Sequence, residues 1–375
     1  MKFFITTERG LENIIADDIK ELGIKTWVGN RIGKIFAEGD SEHVFLLNFL
    51  GRSINKVYIL IKKAKINSLN DVKEELKDIN WEDYIDKGQT FAVSVEKAGR
   101  KDFSSIDVAR LAGDTIIERI ASLRKRPKVD LRNPDVKIRL DIFKDEMLVG
   151  IDTTGPSLHM RRYRVFNHPK AVKTTIAYLM IKLSSWSENE SLYDPMCGGG
   201  TIPIEAAISC RKIPIFVFRG NEYAFYKLKF LPLDRVEYIK ERLLESMDRS
   251  MNCTIIGSDI NEEYIKGAIK NAEKAKVLDT IKFFTANIFH LEFQSIFDKI
   301  VLNPPYFVKN LSMFDFYRKL LLKLLRMIRE GGKIVLLTPK IRIMLKILDE
   351  LKLKYELHSF YRQRLTKNGI FIIKP

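Results

Sequence analysis

The chain has 375 residues, of which 46% are hydrophobic and 30% charged, and its formal net charge is +16. This length suggests two or three domains, and the charge favours an anionic partner, nucleic acid ahead of membrane. A Lys-rich proteome from a hot habitat would give a similar balance. Cys197, Cys210 and Cys253 form no CxxC pair, which argues against a zinc site or a disulfide framework and favours a reducing cytoplasm. We therefore expect no bound metal. The N-terminus lacks a signal-peptide pattern and no apolar run is long enough for a membrane span, so we expect a cytoplasmic protein.

The first region, residues 1–65, has the pattern of a small α+β domain. Its apolar residues at helical spacing end at Gly23, and short β-type runs lie on both sides of that helix. The predicted order is β-α-β-β-α-β, which is typical of a ferredoxin-like domain. The pattern alone assigns this domain no function beyond architecture.

The second region, residues 66–156, carries an amphipathic helix over 106–120 and an alternating hairpin over 136–151. Basic residues gather at its connections. They are either solvated loop residues or contacts to RNA phosphates, and we predict phosphate contacts at Arg100, Lys101, Arg124, Lys125 and Arg126.

Two stretches of this region resemble a known module. The run 98–107, followed by Asn133-Pro134-Asp135 directly before the hairpin, is similar to a THUMP domain. The resemblance implies an RNA-binding role of the kind found in tRNA-modifying enzymes.

A linker and a leading helix occupy residues 157–185. The linker interleaves arginines with aromatic residues, which suits either an RNA contact or a solvated connection. We predict RNA contacts at Arg161, Arg162 and Arg164.

The remaining residues, 186–375, alternate short apolar strands with helices, which predicts a mainly parallel α/β sheet. Two final strands without a helix between them predict an antiparallel finish. An insert over 211–252 is rich in aromatic and basic residues. It is either an accessory cap or a substrate-facing element, and the sequence does not decide between them.

The first strand of this domain ends in a glycine loop. A strand, a glycine loop and a helix form the ligand-binding corner of a doubly wound sheet. The loop lacks the Gly-Lys-Ser/Thr of a phosphate-binding loop, so it suits a ligand without phosphate. Asp194 can accept from a cationic amino group, and the predicted contacts along the loop are Met196, Cys197, Gly198, Gly200 and Thr201.

The next two strands end in further polar groups. Asp259, followed by Ile260, can accept from both ribose hydroxyls, and Asn287 with Ile288 can bracket an adenine. A ligand with an amino-acid end, a ribose and an adenine but no phosphate is S-adenosylmethionine. The alternative is an unrelated α/β domain with a coincidental carboxylate at position 259.

The fourth strand ends in Asn303-Pro304-Pro305-Tyr306. Two prolines make a stiff, extended turn, which is either a simple strand terminator or a rigid base-binding site. In the second interpretation the carbonyls of Asn303 and Pro304 accept the protons of an amine, while Pro305 and the ring of Tyr306 contact the base.

Together these motifs resemble the class I amino-methyltransferases, and the whole chain resembles the THUMP-domain tRNA guanine-N2-methyltransferases. The matching parts include 157–164, His168-Pro169, 194–207 and the Asn-Pro-Pro-Tyr motif. The resemblance implies a Rossmann-like domain with a mainly parallel seven-stranded sheet, S-adenosylmethionine as cofactor, tRNA as partner and a monomer. Many relatives have Asp where this chain has Asn287, and the insert is more similar to the rRNA-modifying branch.

Three other functions stay open at this point. An rRNA guanine-N2-methyltransferase is nearest, because of the insert. A DNA adenine-N6 methyltransferase uses the same Asn-Pro-Pro-Tyr chemistry, although the chain shows no evident DNA target-recognition domain. A non-catalytic RNA-binding protein with a dead methyltransferase fold is the third, and the intact Asp194, Asp259 and Asn303 argue against it.

Overall fold

A computed structural model describes residues 1–99, 102–123, 127–361 and 366–375, which form two compact units. Unit 1 comprises Met1–Thr7, Glu12–Leu158 and Arg219–Arg242, and unit 2 comprises Glu8–Leu11, His159–Phe218 and Leu243–Pro375. The predicted phosphate contacts Arg100, Lys101, Arg124, Lys125 and Arg126 lie outside the described residues.

Unit 1 is built on one mixed sheet with helices packed on it. Its strands are β1 (Lys2–Thr6), β2 (Lys25–Val28), β3 (Lys34–Glu38), β4 (Lys56–Lys65), β5 (Thr90–Ala98), β6 (Lys128–Val129), β7 (Val136–Phe143) and β8 (Glu146–Asp152). Its helices are α1 (Glu12–Lys20), α2 (Ser41–Leu50), α3 (Leu69–Lys77) and α4 (Ser105–Ala121). The order in the eight-stranded sheet is β2-β3-β1-β4-β8-β7-β5-β6.

The β-α-β-β-α-β order predicted for the first 65 residues is confirmed by β1 to β4 with α1 and α2. Local signals set these elements, for example Asp40, whose carboxylate accepts from two backbone amides at the start of α2. The sheet continues without a break into the second region, because β4 pairs antiparallel with β8, Tyr58 lying opposite Asp152. The two predicted N-terminal regions therefore share one sheet.

The central part of the insert, residues 219–242, belongs to unit 1. The ring of Phe225 is fully buried and packs edge-on against Phe45 and Phe49, with centroid distances of 5.0 and 5.7 Å. Phe230 packs edge-on against Tyr84. This part of the insert contributes to the hydrophobic core of unit 1. Its role therefore differs from both predicted alternatives, an accessory cap and a substrate-facing element.

This packing predicts a large stability effect. Phe225→Ala would leave a cavity beside the rings of Phe45 and Phe49 and lower the free energy of unfolding of unit 1 by about 3–5 kcal/mol. A urea titration followed by far-UV circular dichroism measures the shift in midpoint. Tyr238→Ala is the control, since Tyr238 lies in the same insert but is half exposed. Equal midpoints for the two variants would contradict the role of Phe225 in the core.

Unit 2 is an α/β domain built on one seven-stranded sheet. Its strands are β9 (Leu192–Asp194), β10 (Ile255–Asp259), β11 (Ile281–Thr285), β12 (Phe297–Leu302), β13 (Ile328–Thr338), β14 (Lys354–Tyr361) and β15 (Lys367–Lys374). Its helices are α5 (Thr174–Leu183), α6 (Thr201–Cys210), α8 (Glu262–Ala275), α9 (Met313–Met327) and α10 (Ile341–Glu350), while α7 (Arg235–Glu245) lies mostly in the insert part of unit 1.

The unit 2 sheet has seven strands in the order β11-β10-β9-β12-β13-β15-β14. β9 to β13 run parallel, and β15 is antiparallel to both of its neighbours. The predicted Rossmann-like sheet with an antiparallel finish is confirmed. β9 lies between β10 and β12, so the chain reverses its direction of winding there, and the carboxyl ends of these strands open a crevice for a ligand.

Cys210 and Cys253 form a disulfide across 43 residues of sequence, whereas the sequence argued against disulfides, because paired cysteines far apart in the chain leave no local signal. Within the described ranges, no helix combines the length and hydropathy that a membrane span requires.

Candidate active site

A cavity of about 490 Å³ opens at the carboxyl ends of β9, β10, β11 and β12. The ends of four parallel strands meet at one edge of the sheet, which brings together residues that are more than 100 positions apart. The structure places most of the predicted ligand contacts in its wall: Asp194, Met196, Cys197, Gly198, Thr201, Asp259, Ile260, Asn287, Ile288, Asn303, Pro304, Pro305 and Tyr306.

Asp194 is the most deeply buried charged group in this wall, with 1% of its surface exposed. Its carboxylate accepts one hydrogen bond, from the backbone amide of Met196 at 3.1 Å. Burial raises the pKa of Asp194 well above its ordinary value, and the nearby Asp259 adds to the effect. None of the described residues supplies a cation to this carboxylate. A buried carboxylate without a partner cation suits a ligand that brings one.

Asp259 holds the glycine loop in place from the next strand. Its two oxygens accept from the amides of Gly198 and Asn261, each at 3.0 Å. Each carboxylate oxygen keeps a further lone pair that a ribose hydroxyl could use. The same carboxylate can therefore shape the loop and bind a ligand.

Asn287 begins a short 3₁₀ turn over Ile288–His290. Its side-chain oxygen accepts from the amide of Phe289 at 3.0 Å, so one of its two lone pairs is already used. The amide group still has one lone pair and two N–H donors for a ligand. Asn287 can thus offer hydrogen bonds to an adenine.

The glycine loop needs a left-handed backbone at Gly200, where φ is 77° and helix α6 begins. A β-carbon there would lie 3.0 Å from the side chain of Ala268 and 3.2 Å from the ring of Phe283. Gly200 therefore permits the turn and the close approach of helix α8, although it does not line the cavity itself.

The Asn-Pro-Pro-Tyr segment stands opposite the glycine loop in the same cavity. The hydroxyl of Tyr306 donates to the side-chain oxygen of Asn303 at 2.6 Å. This bond fixes the orientation of the Asn303 amide and leaves a second lone pair on that oxygen. Below the segment, the hydroxyl of Tyr317 donates to the backbone carbonyl of Pro305 at 3.3 Å and lies 2.8 Å from the hydroxyl of Thr338.

Several residues of the cavity wall were absent from the predicted set. His168, Pro169 and Lys170 come from the linker, and Tyr264 and Phe289 follow β10 and β11. His168-Pro169 was part of the family resemblance, so a signal existed for that pair. Nothing in the local pattern distinguishes Tyr264 or Phe289 from ordinary packing residues.

The three linker arginines differ in their surroundings. Arg162 is exposed and Arg164 half-buried, so both are accessible to a partner. Arg161 is fully buried, and its Nε lies 3.6 Å from the carboxylate of Glu205, which also accepts from the hydroxyl of Tyr163 at 2.8 Å. The prediction of an RNA contact at Arg161 is wrong, because a guanidinium enclosed with a carboxylate in the core cannot reach a phosphate.

Comparison with known families divides the chain into three parts. Residues 161–365 match the model described as RMKL-like methyltransferase domain. Residues 67–152 match the THUMP domain, and residues 2–58 match the RlmL ferredoxin-like domain.

Individual proteins give the same picture. An enzyme of Methanocaldococcus jannaschii named tRNA (guanine(6)-N2)-methyltransferase is 39% identical over 82% of this chain and 82% of its own length. An enzyme of Archaeoglobus fulgidus with the same name is 31% identical over 100% of this chain and 92% of its own length. The crystal structure of SMU.472 in complex with SAH superposes with a TM-score of 0.87 at 22% identity, covering 100% of this chain and 97% of that one.

The sheet order, the glycine loop and the Asn-Pro-Pro-Tyr segment define a class I methyltransferase, joined here to a THUMP domain. Within that class the chain belongs to the family of RMKL-like methyltransferases, and it is similar over most of its length to the two archaeal enzymes named tRNA (guanine(6)-N2)-methyltransferase.

Proposed function

We propose that this enzyme transfers a methyl group from S-adenosylmethionine to the exocyclic N2 amine of a guanosine in tRNA, giving N2-methylguanosine. The observation that carries the proposal is the shared cavity, in which the buried carboxylate of Asp194, to which none of the described residues supplies a cation, and the amide of Asn303 face one space. The names of the archaeal relatives support guanine as the base and position 6 as the site.

The residues of the cavity fit the cofactor at each of its parts. Asp194 would hold the ammonium of the methionine end, Asp259 the ribose hydroxyls, and Asn287 with Ile288 the adenine. The loop at Met196, Cys197 and Gly198 would lie along the ligand between these points. When bound, S-adenosylmethionine supplies an electrophilic methyl group on a sulfonium.

The Asn-Pro-Pro-Tyr segment would prepare the acceptor amine. The guanine amine is a poor nucleophile because its lone pair is delocalised into the ring. The side-chain carbonyl of Asn303 and the backbone carbonyl of Pro304 would each accept one amine proton, which turns the lone pair toward the methyl group and stabilises the positive charge that develops on nitrogen. The ring of Tyr306 would stack on the base, and the excess proton would leave to water. Positioning in a water-poor cavity supplies much of the remaining rate.

A stem guanine must leave its base stack before it can enter such a cavity, which costs a few kcal/mol. The THUMP domain and the basic surface would repay this cost by binding RNA shape and backbone. The exposed Arg162 and the half-buried Arg164 are the linker residues that we assign to this contact. We further propose that the enzyme acts as a monomer in the cytoplasm.

The test is methyl transfer from isotopically labelled cofactor to unmodified tRNA, an rRNA transcript and duplex DNA, followed by nucleoside mass spectrometry and mapping of the product. We expect labelled N2-methylguanosine from tRNA, at position 6. Asn-Pro-Pro-Tyr alone would accept adenine as readily, so N6-methyladenine in DNA, or a product found only in rRNA, would overturn the proposal.

The support under the Asn-Pro-Pro-Tyr segment gives a smaller prediction. Burial raises the pKa of Tyr317 to about 12, so its hydroxyl keeps the proton that it donates to Pro305. Tyr317→Phe removes this hydrogen bond, worth about 0.5–1.5 kcal/mol, so we expect kcat to fall roughly threefold to tenfold. Steady-state kinetics of methyl transfer to tRNA measure this change in kcat, and the KM for the cofactor serves as the internal control. An unchanged kcat would show that Pro305 does not need this support.

A further inference from the structure

A strap of irregular backbone, residues 164–172, precedes helix α5 and forms one wall of the cofactor cavity. Five consecutive residues of the strap, from His168 to Val172, line the cavity directly. The strap contains no helix or strand of its own, so its position depends on side-chain contacts with other elements. Those contacts converge on helix α8, through Gly267 and Asn271.

Asn271 ties the strap to the glycine loop. Its side-chain oxygen accepts from the amide of Phe166 at 2.8 Å, and its side-chain nitrogen donates to the carbonyl of Phe166 at 3.0 Å. The same nitrogen donates to the carbonyl of Gly199 at 2.9 Å. One buried amide thus holds both the strap and the loop, which belong to segments over 30 residues apart.

Gly267 lies one turn earlier on the same helix and receives the ring of Phe166. A β-carbon at this position would lie 2.3 Å from Cδ1 and 2.4 Å from Cγ of that ring. Both backbone groups of Phe166 are bonded to Asn271, so its ring could avoid such a carbon only by rotating out of this contact or by moving with the strap. The contact therefore requires glycine, although glycine weakens the middle of a helix.

The far part of the strap is held by a third contact. The ring of His168 stands perpendicular to that of Tyr264 with their centroids 4.4 Å apart. The same ring also covers Gly198, where a β-carbon would lie 3.3 Å away. Between these contacts His168 is fixed directly over the loop that would run along the cofactor.

From these contacts we propose that Asn271, Gly267 and Phe166 form a latch that seats the strap against the glycine loop, and that the latch sets how tightly and for how long the S-adenosyl ligand is held. This inference rests on the proposed function for the identity of the ligand. The three are positioning residues, because the latch acts through the strap residues that line the cavity. Opening the latch is the step that lets cofactor exchange.

Gly267→Ala tests the latch. The added methyl group displaces Phe166 and with it the strap, so we expect S-adenosylhomocysteine to bind about tenfold to a hundredfold more weakly, mainly through faster dissociation. Calorimetry gives the affinity and stopped-flow displacement the rate. In steady state the cofactor KM should rise while kcat and the KM for tRNA stay unchanged.

A matched control separates the strap from the helix. Gly113 lies inside helix α4, and a β-carbon there meets nothing within 4 Å. Gly113→Ala should therefore raise the melting temperature and leave the affinity for S-adenosylhomocysteine unchanged.

A second comparison uses Phe166→Ala, in which the ring is absent. In that background Gly267→Ala should have no further effect on binding.

Asn271→Asp gives an independent measurement, since it keeps the shape of the side chain but loses both N–H donors. We expect weaker S-adenosylhomocysteine binding of similar size, with the circular dichroism spectrum of the native protein. Wild-type affinity in Gly267→Ala and Asn271→Asp would overturn the latch, as would an equal Gly267→Ala effect with and without Phe166. Failure of the wild-type enzyme to bind S-adenosylhomocysteine would instead overturn the proposed function.

Discussion

Asn303→Ala should lower kcat for methyl transfer to tRNA by about 100- to 1,000-fold, the usual loss when one group that stabilises developing charge is removed. The change deletes the acceptor that orients the amine, while Pro304 and Pro305 keep the backbone of the turn stiff. Single-turnover transfer from labelled S-adenosylmethionine at saturating tRNA measures the chemical step separately from binding.

The companion variant is Tyr306→Phe, which keeps the ring but removes the hydroxyl that donates to Asn303 at 2.6 Å. It should lose activity by a smaller factor than Asn303→Ala, because the acceptor remains and only its orientation is relaxed. For Asn303→Ala the dissociation constant of tRNA, measured by filter binding, should stay nearly unchanged. A loss of tRNA binding as large as the loss of rate would show that Asn303 serves binding and not the chemical step.

The parts of this enzyme that follow from sequence are those in which neighbouring residues carry the signal. A polar group at or within two residues of the end of each of four apolar strands predicted one shared site, and the structure brings Asp194, Asp259, Asn287 and Asn303 to one cavity. The parallel order of strands made this possible, because parallel strands place all their carboxyl ends at the same edge. The antiparallel finish could be predicted for a similar reason, since two strands without a helix between them form a hairpin.

The features that could not be predicted from the sequence depend on residues far away in the chain. Arg161 has the neighbours of an RNA-contacting arginine, and only Glu205, 44 positions later, shows that it is buried. The aromatic composition of the insert is compatible with a cap, but Phe225 packs against Phe45 and Phe49, about 180 positions earlier in the chain. Burial partners at such separations are chosen by the tertiary fold, and composition does not reveal them.

Asp194→Asn should change stability and cofactor binding in opposite directions. The pKa of Asp194 is raised well above its ordinary value by burial, so the ligand-free protein is destabilised by holding this carboxylate. The neutral amide can still accept from Met196, and we expect the melting temperature without ligand to rise. Affinity for S-adenosylhomocysteine should fall by about 30- to 5,000-fold, since removing one partner of a buried charge pair costs about 2–5 kcal/mol.

Asp298→Asn is the matched control on the same sheet. Burial alone would raise the pKa of Asp298, but hydrogen bonds from Ser191 and the Arg329 guanidinium hold this pKa below its ordinary value. This carboxylate stabilises the fold, so its amide variant should melt at a lower temperature and bind S-adenosylhomocysteine as the wild type does. If Asp194→Asn also lowered the melting temperature without ligand, Asp194 would be a structural residue and its assignment to the cofactor would be wrong.

The sign of the Asp194 effect also fixes its dependence on pH. In the unfolded chain the carboxyl group titrates near 3.8, and in the ligand-free fold it titrates well above that value. Between the two pKa values the folded state binds more protons, so its stability falls as the pH rises, and the stability gained in Asp194→Asn should grow over the same range.

Ligand binding should depend on the same carboxylate, because the ammonium of the ligand requires its ionised form. Wild-type affinity for S-adenosylhomocysteine should therefore weaken as the pH falls below the ligand-free pKa, and binding should release a proton. Calorimetry in buffers of different ionisation enthalpy detects that proton, and a wild-type profile as flat as that of Asp194→Asn would show that this carboxylate does not meet the ligand as an ion.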